Sequence, residues 1–449
     1  MEMPEVLEES NVYLAELERI EREAASPQRS WLAPLRRAAL TCFEELGFPT
    51  IRDEEWRFTN IAPIASTPFA PARACKASFD GATLARLCAD GLGYCSLVFV
   101  NGLFDAARSR TGDLPAGTVV CSLAEAVGTK RELVREHLGH YAAYKEQALT
   151  ALNTALWEDG AFIYVPRGTV VTMPIHLVFV STGSEEPVMA HPRNLVLAGA
   201  TAEVTVIERY VGLGRGTYWT NGVTELVAED GANVDHYKVV EEADDGYHTA
   251  TTQIWQGRSS QLRSHTITLD GALVRNDLNA VLGGEGADCI LNGSYMVSGA
   301  THVDNHLRVE HAQAHCNSWE YFKGILDGAA KGVFTGRIIV RKGAQKTDAK
   351  QTNMSLLLSP TAQVESKPQL EIFADDVKCT HGATIGQVSD EALFYLRTRG
   401  MDEKAARGLL VYAFVAENIE KIRVPALRRQ IEAWMQARLG GGLTFKEAV

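Results

Sequence analysis

From about residue 161 to about residue 388 the sequence is a succession of short Val, Ile, Thr and Leu runs. "FIYVP", "HLVFVS", "NLVLAG", "AEVTVIER", "TITLD", "HLRVEH" and "GRIIVRK" are examples, each stopped by Gly, Asn or Asp. Runs of this length are strands, and no convincing helical period interrupts them. Through the same stretch the dipeptide Gly-Ala recurs, as in Gly199-Ala200, Gly231-Ala232, Gly271-Ala272, Gly299-Ala300, Gly328-Ala329 and Gly382-Ala383. Many of the gaps fall near ~30 residues, which is the repeat length of a solenoid coil. The pattern predicts a β-solenoid with a small residue at each corner, in preference to a β-sandwich, whose strands and turns would be more even in length.

The flanks read differently. "SPQRSWLAPLRRAALTCFEELGF" has helical spacing and is stopped by Gly47 and Pro49, and "TKRELVREHLGHYAAYKEQALTALNTALWEDG" returns to helix, with a short strand, "SLVFVNGLFD", between them. At the other end, Asp402 is placed to cap a helix in which Leu410, Val411, Phe414, Val415, Ile419 and Ile422 form one apolar stripe, and Pro425 breaks it before another. The chain therefore divides into a mostly helical segment 1–160, a solenoid 161–388 and a helical segment 389–449. A solenoid ends in unpaired strand edges, so the helical pieces are expected to cap it. The apolar stripe is equally suited to a partner.

Composition narrows the classes of function. The formal net charge is −12, which argues against nucleic acid or an anionic membrane as a general partner. The N-terminus is acidic and amphipathic, unlike a targeting peptide, and no apolar run approaches the ~20 residues that span a bilayer. A cytoplasmic protein is expected. Its 8 cysteines include no Cys-x-x-Cys pair, so neither a disulfide framework nor a zinc site within one short motif is expected. There is no Gly-Lys dipeptide and hence no phosphate-cradling loop, no H-E-x-x-H, and "GLGRGTY" at residues 212–218 does not fit a nucleotide fingerprint.

Two stretches carry chemistry. In "DDVKCTHGATIG" a strand would place Cys379 and His381 on one face. Thiolate and imidazole make a two-ligand half site for iron or zinc that needs further ligands from elsewhere. The structural alternative is a buried cysteine beside a satisfied histidine. In "THVDNHLRVEHAQAHCNSWE" the density of His302, His306, His311, His315 and Cys316 makes a second, weaker metal candidate, of which His311, His315 and Cys316 lie closest together in sequence. If the strand runs unbroken, His302 and His306 share one face, and His311 and His315 the other. A histidine ladder on stacked coils is the structural alternative. Gln345, Gln351 and Asn353 suggest an amide ladder.

The long run from "HCNSWEYFKGILDGAAKGVFTGRIIVRKGAQKTDAKQTNMSLLLS" to "EIFADDVKCTHGATIGQVSDEALFYLRTRGM", with "EEWRFTNIAPI" near the N-terminus, resembles the SufB/SufD family of iron–sulfur cluster assembly proteins. The "KCTHGAT" form is similar to the SufD branch. The resemblance implies a right-handed parallel β-helix flanked by helical segments. It also implies a non-catalytic subunit that pairs with a SufB-like chain through the β-helix and docks a SufC-like ATPase with its C-terminal helices, for which Leu410, Phe414 and Ile419 are the candidates. The family's cluster-assembly histidine falls on His381, beside Cys379. The implied cargo is a nascent iron–sulfur cluster, or iron, shared with the partner chain and not held permanently by this chain alone.

Two other classes compete. One is a homodimeric β-helix scaffold with no metal role. The other is a polysaccharide-active β-helix enzyme, for which the adjacent Asp375 and Asp376 would point to opposite strand faces and make a poor catalytic pair.

Overall fold

The computed structural model describes residues 3–23, 29–72, 79, 83, 87 and 95–439; Cys75 and Cys88 lie outside them. Two parallel sheets run the length of the molecule. The first stacks Ala161–Val165, Arg193–Ala198, Tyr218–Ala228, Gly246–Gln256, Leu273–Leu282, His302–His311, Lys331–Val340 and Gln363–Ile372. The second stacks Ile175–Thr182, Glu203–Leu213, Asn233–Glu241, Gln261–Asp270, Asp288–Val297, Asn317–Leu326, Asp348–Leu357 and Lys378–Gln387. The chain alternates between the sheets, so the pairs make a parallel β-helix of about 8 coils.

The corners explain the small residues. On one edge each coil turns through a residue with positive φ, among them Thr201, Gly231, Ser259, Gly286, His315 and Lys346. The next residue points inward and is small and buried: Ala202, Ala232, Ser260, Ala287, Cys316 and Thr347. Gly286, at φ 72°, shows why Gly-Ala is the economical pair: glycine takes the left-handed turn without strain and alanine fits the bore. Not every Gly-Ala is a corner. Gly382-Ala383 lies inside the strand Lys378–Gln387.

The helical flanks do not cap the ends of the solenoid; they cover its sides. Helices Leu32–Leu46 and Ala148–Leu156 pack on the outer face of the first sheet around Leu149, Leu152, Met189, Trp219 and Leu273. Helices Glu403–Glu420 and Pro425–Leu439 cover the second sheet, packing Val411, Val415, Ile419, Ile422 and Ile431 against Ile207, Val239, Ile267 and Ile325. Asp402 caps the first of these, accepting from the Ala405 amide at 3.0 Å. The stretch 129–156 is two helices, Arg131–His137 and Ala148–Leu156, separated by a turn around Gly139.

The turn is held by a buried ion pair. The Glu225 carboxylate accepts from the amides of Gly139, Tyr141 and Ala142 at 2.8, 2.9 and 3.2 Å, and pairs with Arg193. Arg193 in turn donates to Asn153 and Thr154 on the covering helix.

The two ends of the β-helix differ. At the first coil, Val119–Ser122 pairs antiparallel with Ala161–Val165, and Cys95–Val100 pairs with Ile175–Thr182. Strands from the first 160 residues thus extend the solenoid and close that end. At the other end, Gln363–Ile372 and Lys378–Gln387 are each the last strand of their sheet. Among the described residues nothing pairs with their outer edges.

Candidate functional site

The last coil carries the "KCTH" motif. Lys378–Gln387 pairs with Asp348–Leu357 so that Cys379 stands over Ala349, His381 over Gln351 and Ile385 over Ser355. Ala349, Gln351 and Ser355 are buried in the bore, so strand alternation turns Cys379, His381, Ala383 and Ile385 toward the bore as well. With no further coil above, their surroundings are largely solvent. His381 is exposed, and Ile385, Ile372 and Phe373 are 50%, 42% and 57% exposed. On the facing strand, Ser366 accepts across the bore from Asn353 Nδ2 at 3.1 Å.

Cys379 is half-buried against the small cluster of Ile338, Val340, Ala344, Ala349 and Ala374. Burial pushes its thiol up, and Asp348 adds to the effect. The thiol is therefore not poised as a nucleophile. Among the described residues the His381 ring makes no hydrogen bond, and its nitrogens are open to a ligand. Among the described residues no three His, Cys, Asp or Glu side chains gather as a metal centre, so within this chain Cys379 and His381 remain a pair.

The layer beneath them is polar. Gln351 Nε2 donates to Glu320 Oε2 at 2.5 Å. Both residues are 1% exposed, and Glu320 Oε1 and Gln351 Oε1 have no partner among the described residues. Burial pushes the Glu320 carboxyl up to about 7, which the bond from Gln351 only partly offsets. The folded chain thus holds this proton more tightly than the unfolded chain does. The stabilisation is complete below about pH 4.5 and is lost as pH rises through about 7. We expect Glu320→Gln to remove that slope. In denaturant unfolding, wild type should lose roughly 2–3 kcal/mol relative to the variant between pH 4.5 and 8; parallel pH profiles would show that Glu320 is not buried as described.

The second cluster is dispersed. The strand His302–His311 ends at His311, so the face-sharing of His311 with His315 is lost at the corner. His311 is buried and bonds Ser318 Oγ through Nε2 at 2.9 Å; His315 sits on the corner, 59% exposed at its side chain and near Glu285; Cys316 fills the inward corner position. His302 and His306 face outward and hold the segment 54–59. Thr59 Oγ1 donates to Asp304 at 2.6 Å and meets His302 Nε2 at 3.1 Å, and His306 pairs with Glu55. The Arg275 guanidinium lies 3.8 Å from the Trp56 ring centroid, and Lys331 donates to the Phe58 carbonyl at 2.6 Å. These histidines serve a strap from more than 240 residues upstream, a pairing that local spacing could not reveal. Glu320 was likewise invisible: a lone Glu in "NSWEYF" gives no signal until the coils are stacked.

Of the helix stripe, Ile419 is 1% exposed and packs against the second sheet. Its side chain is used internally and is not available to a partner. Leu410 and Phe414 are half-buried, with the Phe414 ring 5.2 Å from Lys323 Nζ. On the preceding helix Asp390–Thr398, Phe394 and Tyr395 are 70% and 57% exposed.

Residues 179–414 match the family model described as the SUF system FeS cluster assembly SufBD core domain, and residues 8–177 match that of the SufBD protein N-terminal region. The chain belongs to the SufBD family. A SufBD-family iron–sulfur cluster assembly protein of Synechocystis is 32% identical over 94% of this chain and 95% of its own length. The iron–sulfur cluster assembly protein SufD of Escherichia coli is 31% identical over 88% of this chain and 90% of its own. SufD of Bacillus subtilis is 26% identical over 66% of this chain and 67% of its own. Family membership supports a role in iron–sulfur cluster assembly. No helix among the described residues is long and apolar enough to cross a membrane.

Proposed function

We propose that this chain is a non-catalytic subunit of an iron–sulfur cluster assembly complex, and that its last coil is the working surface. The observation that carries the proposal is the asymmetry of the β-helix: one end is closed by extra strands, while at the other, among the described residues, two strand edges, an exposed His381 and apolar side chains are uncovered. A SufB-like subunit adds its own strands to those edges, which supplies main-chain hydrogen bonds and buries Ile372, Phe373 and Ile385. His381 is then one ligand of a nascent cluster whose remaining ligands come from the partner. An imidazole is a more readily released ligand than a second thiolate, which suits a cargo that is handed on. Cys379, protonated and half-buried, flanks the site. The C-terminal helices engage a SufC-like ATPase through the surface left by Leu410 and Phe414. The cluster, or iron, is cargo.

The test is anaerobic reconstitution with ferrous iron and sulfide, of this chain alone and with SufB-like and SufC-like partners, followed by absorbance and Mössbauer spectra. We expect a cluster only with the partners, its yield falling at least about ten-fold in His381→Ala, as for loss of a metal-site group, and little in Cys379→Ala. A His381→Ala complex that reconstitutes like wild type would remove the ligand role. A chain that self-associates through the last coil and ignores both substitutions would point to a homodimeric scaffold.

A further inference from the structure

Three side chains lie on one line through successive coils of the second sheet. Glu320 is the register partner of Gln351, and Gln351 that of His381. Each is one strand spacing, ~4.8 Å, from the next and turned to the same side. The middle member is fixed with unusual care. Its Nε2 donates to Glu320 Oε2, so the amide nitrogen is committed downward and the carbonyl oxygen is the free end. That oxygen is buried and has no partner. Space for the amide comes from the opposite wall: a Cβ at Gly336 would fall 2.0 Å from Gln351 Nε2 and 2.7 Å from its Oε1. Deeper in the bore some polar side chains satisfy one another. Glu208, for example, is bonded by His236, Thr224 and Tyr210, and the other ring nitrogen of His236 meets Ser264. Gln351 Oε1 shares its open state with a few other buried atoms, among them Asn353 Oδ1 and Gln256 Oε1, but it is the one in register with the His381 side chain, and a buried acceptor calls for a partner.

We propose that Gln351, anchored by Glu320, is the positioning residue for His381: its amide oxygen accepts the N–H of one ring nitrogen while the other nitrogen binds the nascent cluster. A ligating histidine needs its second nitrogen bonded if the tautomer and the ring plane are to be defined. Two acceptors of the coil directly beneath are uncommitted, Gln351 Oε1 and Asn353 Oδ1; Gln351 is the one in register with His381, and it cannot rotate away without breaking its bond to Glu320. The inference rests on the reading of His381 as a cluster ligand.

The experiment uses the chain assembled with its SufB-like and SufC-like partners and loaded anaerobically with iron and sulfide. Two quantities are read: the EDTA concentration that strips half the iron, and the ¹⁵N-histidine coupling of the reduced cluster by pulsed EPR. Gln351→Leu should lower the EDTA midpoint about 10-fold, the usual scale for loss of a group that orients a ligand, and weaken the nitrogen coupling. Gln351→Glu, which keeps an acceptor but loses the Nε2 bond to Glu320, should recover part of both. Gly336→Ala leaves Gln351 in the sequence but displaces its amide, and should act in the same direction as Gln351→Leu; it also decides the matter if Gln351→Leu does not fold. Wild-type values in folded, paired Gln351→Leu or Gly336→Ala, with His381→Ala still defective, would overturn the positioning role alone. A His381→Ala complex as resistant to EDTA as wild type would instead overturn the ligand reading, and the positioning role with it.

Discussion

Ile385→Lys is expected to leave the free chain folded and to weaken its association with a SufB-like subunit by at least about 100-fold. Ile385 is half exposed on the bore-facing side of the last coil, and a substitution at such a site changes stability by no more than about 0.5 kcal/mol. If partner strands extend the sheets, the new ammonium is trapped between coils without a counter-ion. An uncompensated buried charge costs about 3–5 kcal/mol, and each ~1.4 kcal/mol is ten-fold in affinity. Calorimetric titration of the two subunits, with a thermal melt of each chain alone, measures both parts. An unchanged affinity would place the interface elsewhere on the molecule.

Glu225→Ala should produce the largest loss of stability of any single substitution considered. The carboxylate is 0% exposed and neutralises an Arg193 that is itself 1% exposed. Removing it strands the guanidinium and orphans the amides of Gly139, Tyr141 and Ala142. Breaking a buried pair from one side costs roughly 3–5 kcal/mol, and each buried unsatisfied amide adds about 1–3 kcal/mol where it cannot reach water. Because the pair ties the helical cover to the first sheet, the turn 138–147 should become the first site of proteolytic cleavage, while the later coils persist. Glu225→Gln, which still accepts from amides, should lose less. A denaturation midpoint within error of wild type would mean that the cover is held by its apolar contacts alone.

Architecture was legible in the sequence where the signal is local and repeated. The Val, Ile and Thr runs became strands because period-two side chains on a bore and an outer face demand that spacing. Gly231-Ala232 and Gly286-Ala287 became corners because a left-handed residue followed by a small inward one is what the turn requires. Asp402 and Pro425 marked helix starts for reasons confined to one turn. The function of the flanking helices was not legible. An apolar stripe reads the same whether it covers an end, a side or a partner, and only the stacked coils show Ile419 facing the second sheet.

At the site, the sequence pointed to Cys379 and His381 and to their shared face. It could not say that this face belongs to the last coil, since being last is a property of the assembled solenoid. His302 and His306 looked like metal ligands by density alone, and proved to hold Thr59 and Glu55. Sequence suggests only that Gln351 is one rung of an amide ladder; its bond to Glu320 and its open oxygen appear only when strands about 30 residues apart lie side by side.

The strands of the second sheet stack Gln261, Asp288, Asn317, Asp348 and Lys378 one above another. The chain takes 27, 29, 31 and 30 residues to complete these successive coils, as the differences between those numbers show. Unequal laps therefore arrive at the same phase, with the surplus absorbed at the corners. The molecule behaves as a ruler whose marks are strands and whose slack lies between the marks. An insertion of any length at a corner leaves His381 aimed at the bore, whereas one residue added within Lys378–Gln387 ahead of it reverses its direction. Aim is thus protected against length changes at the corners and exposed to them within the strand.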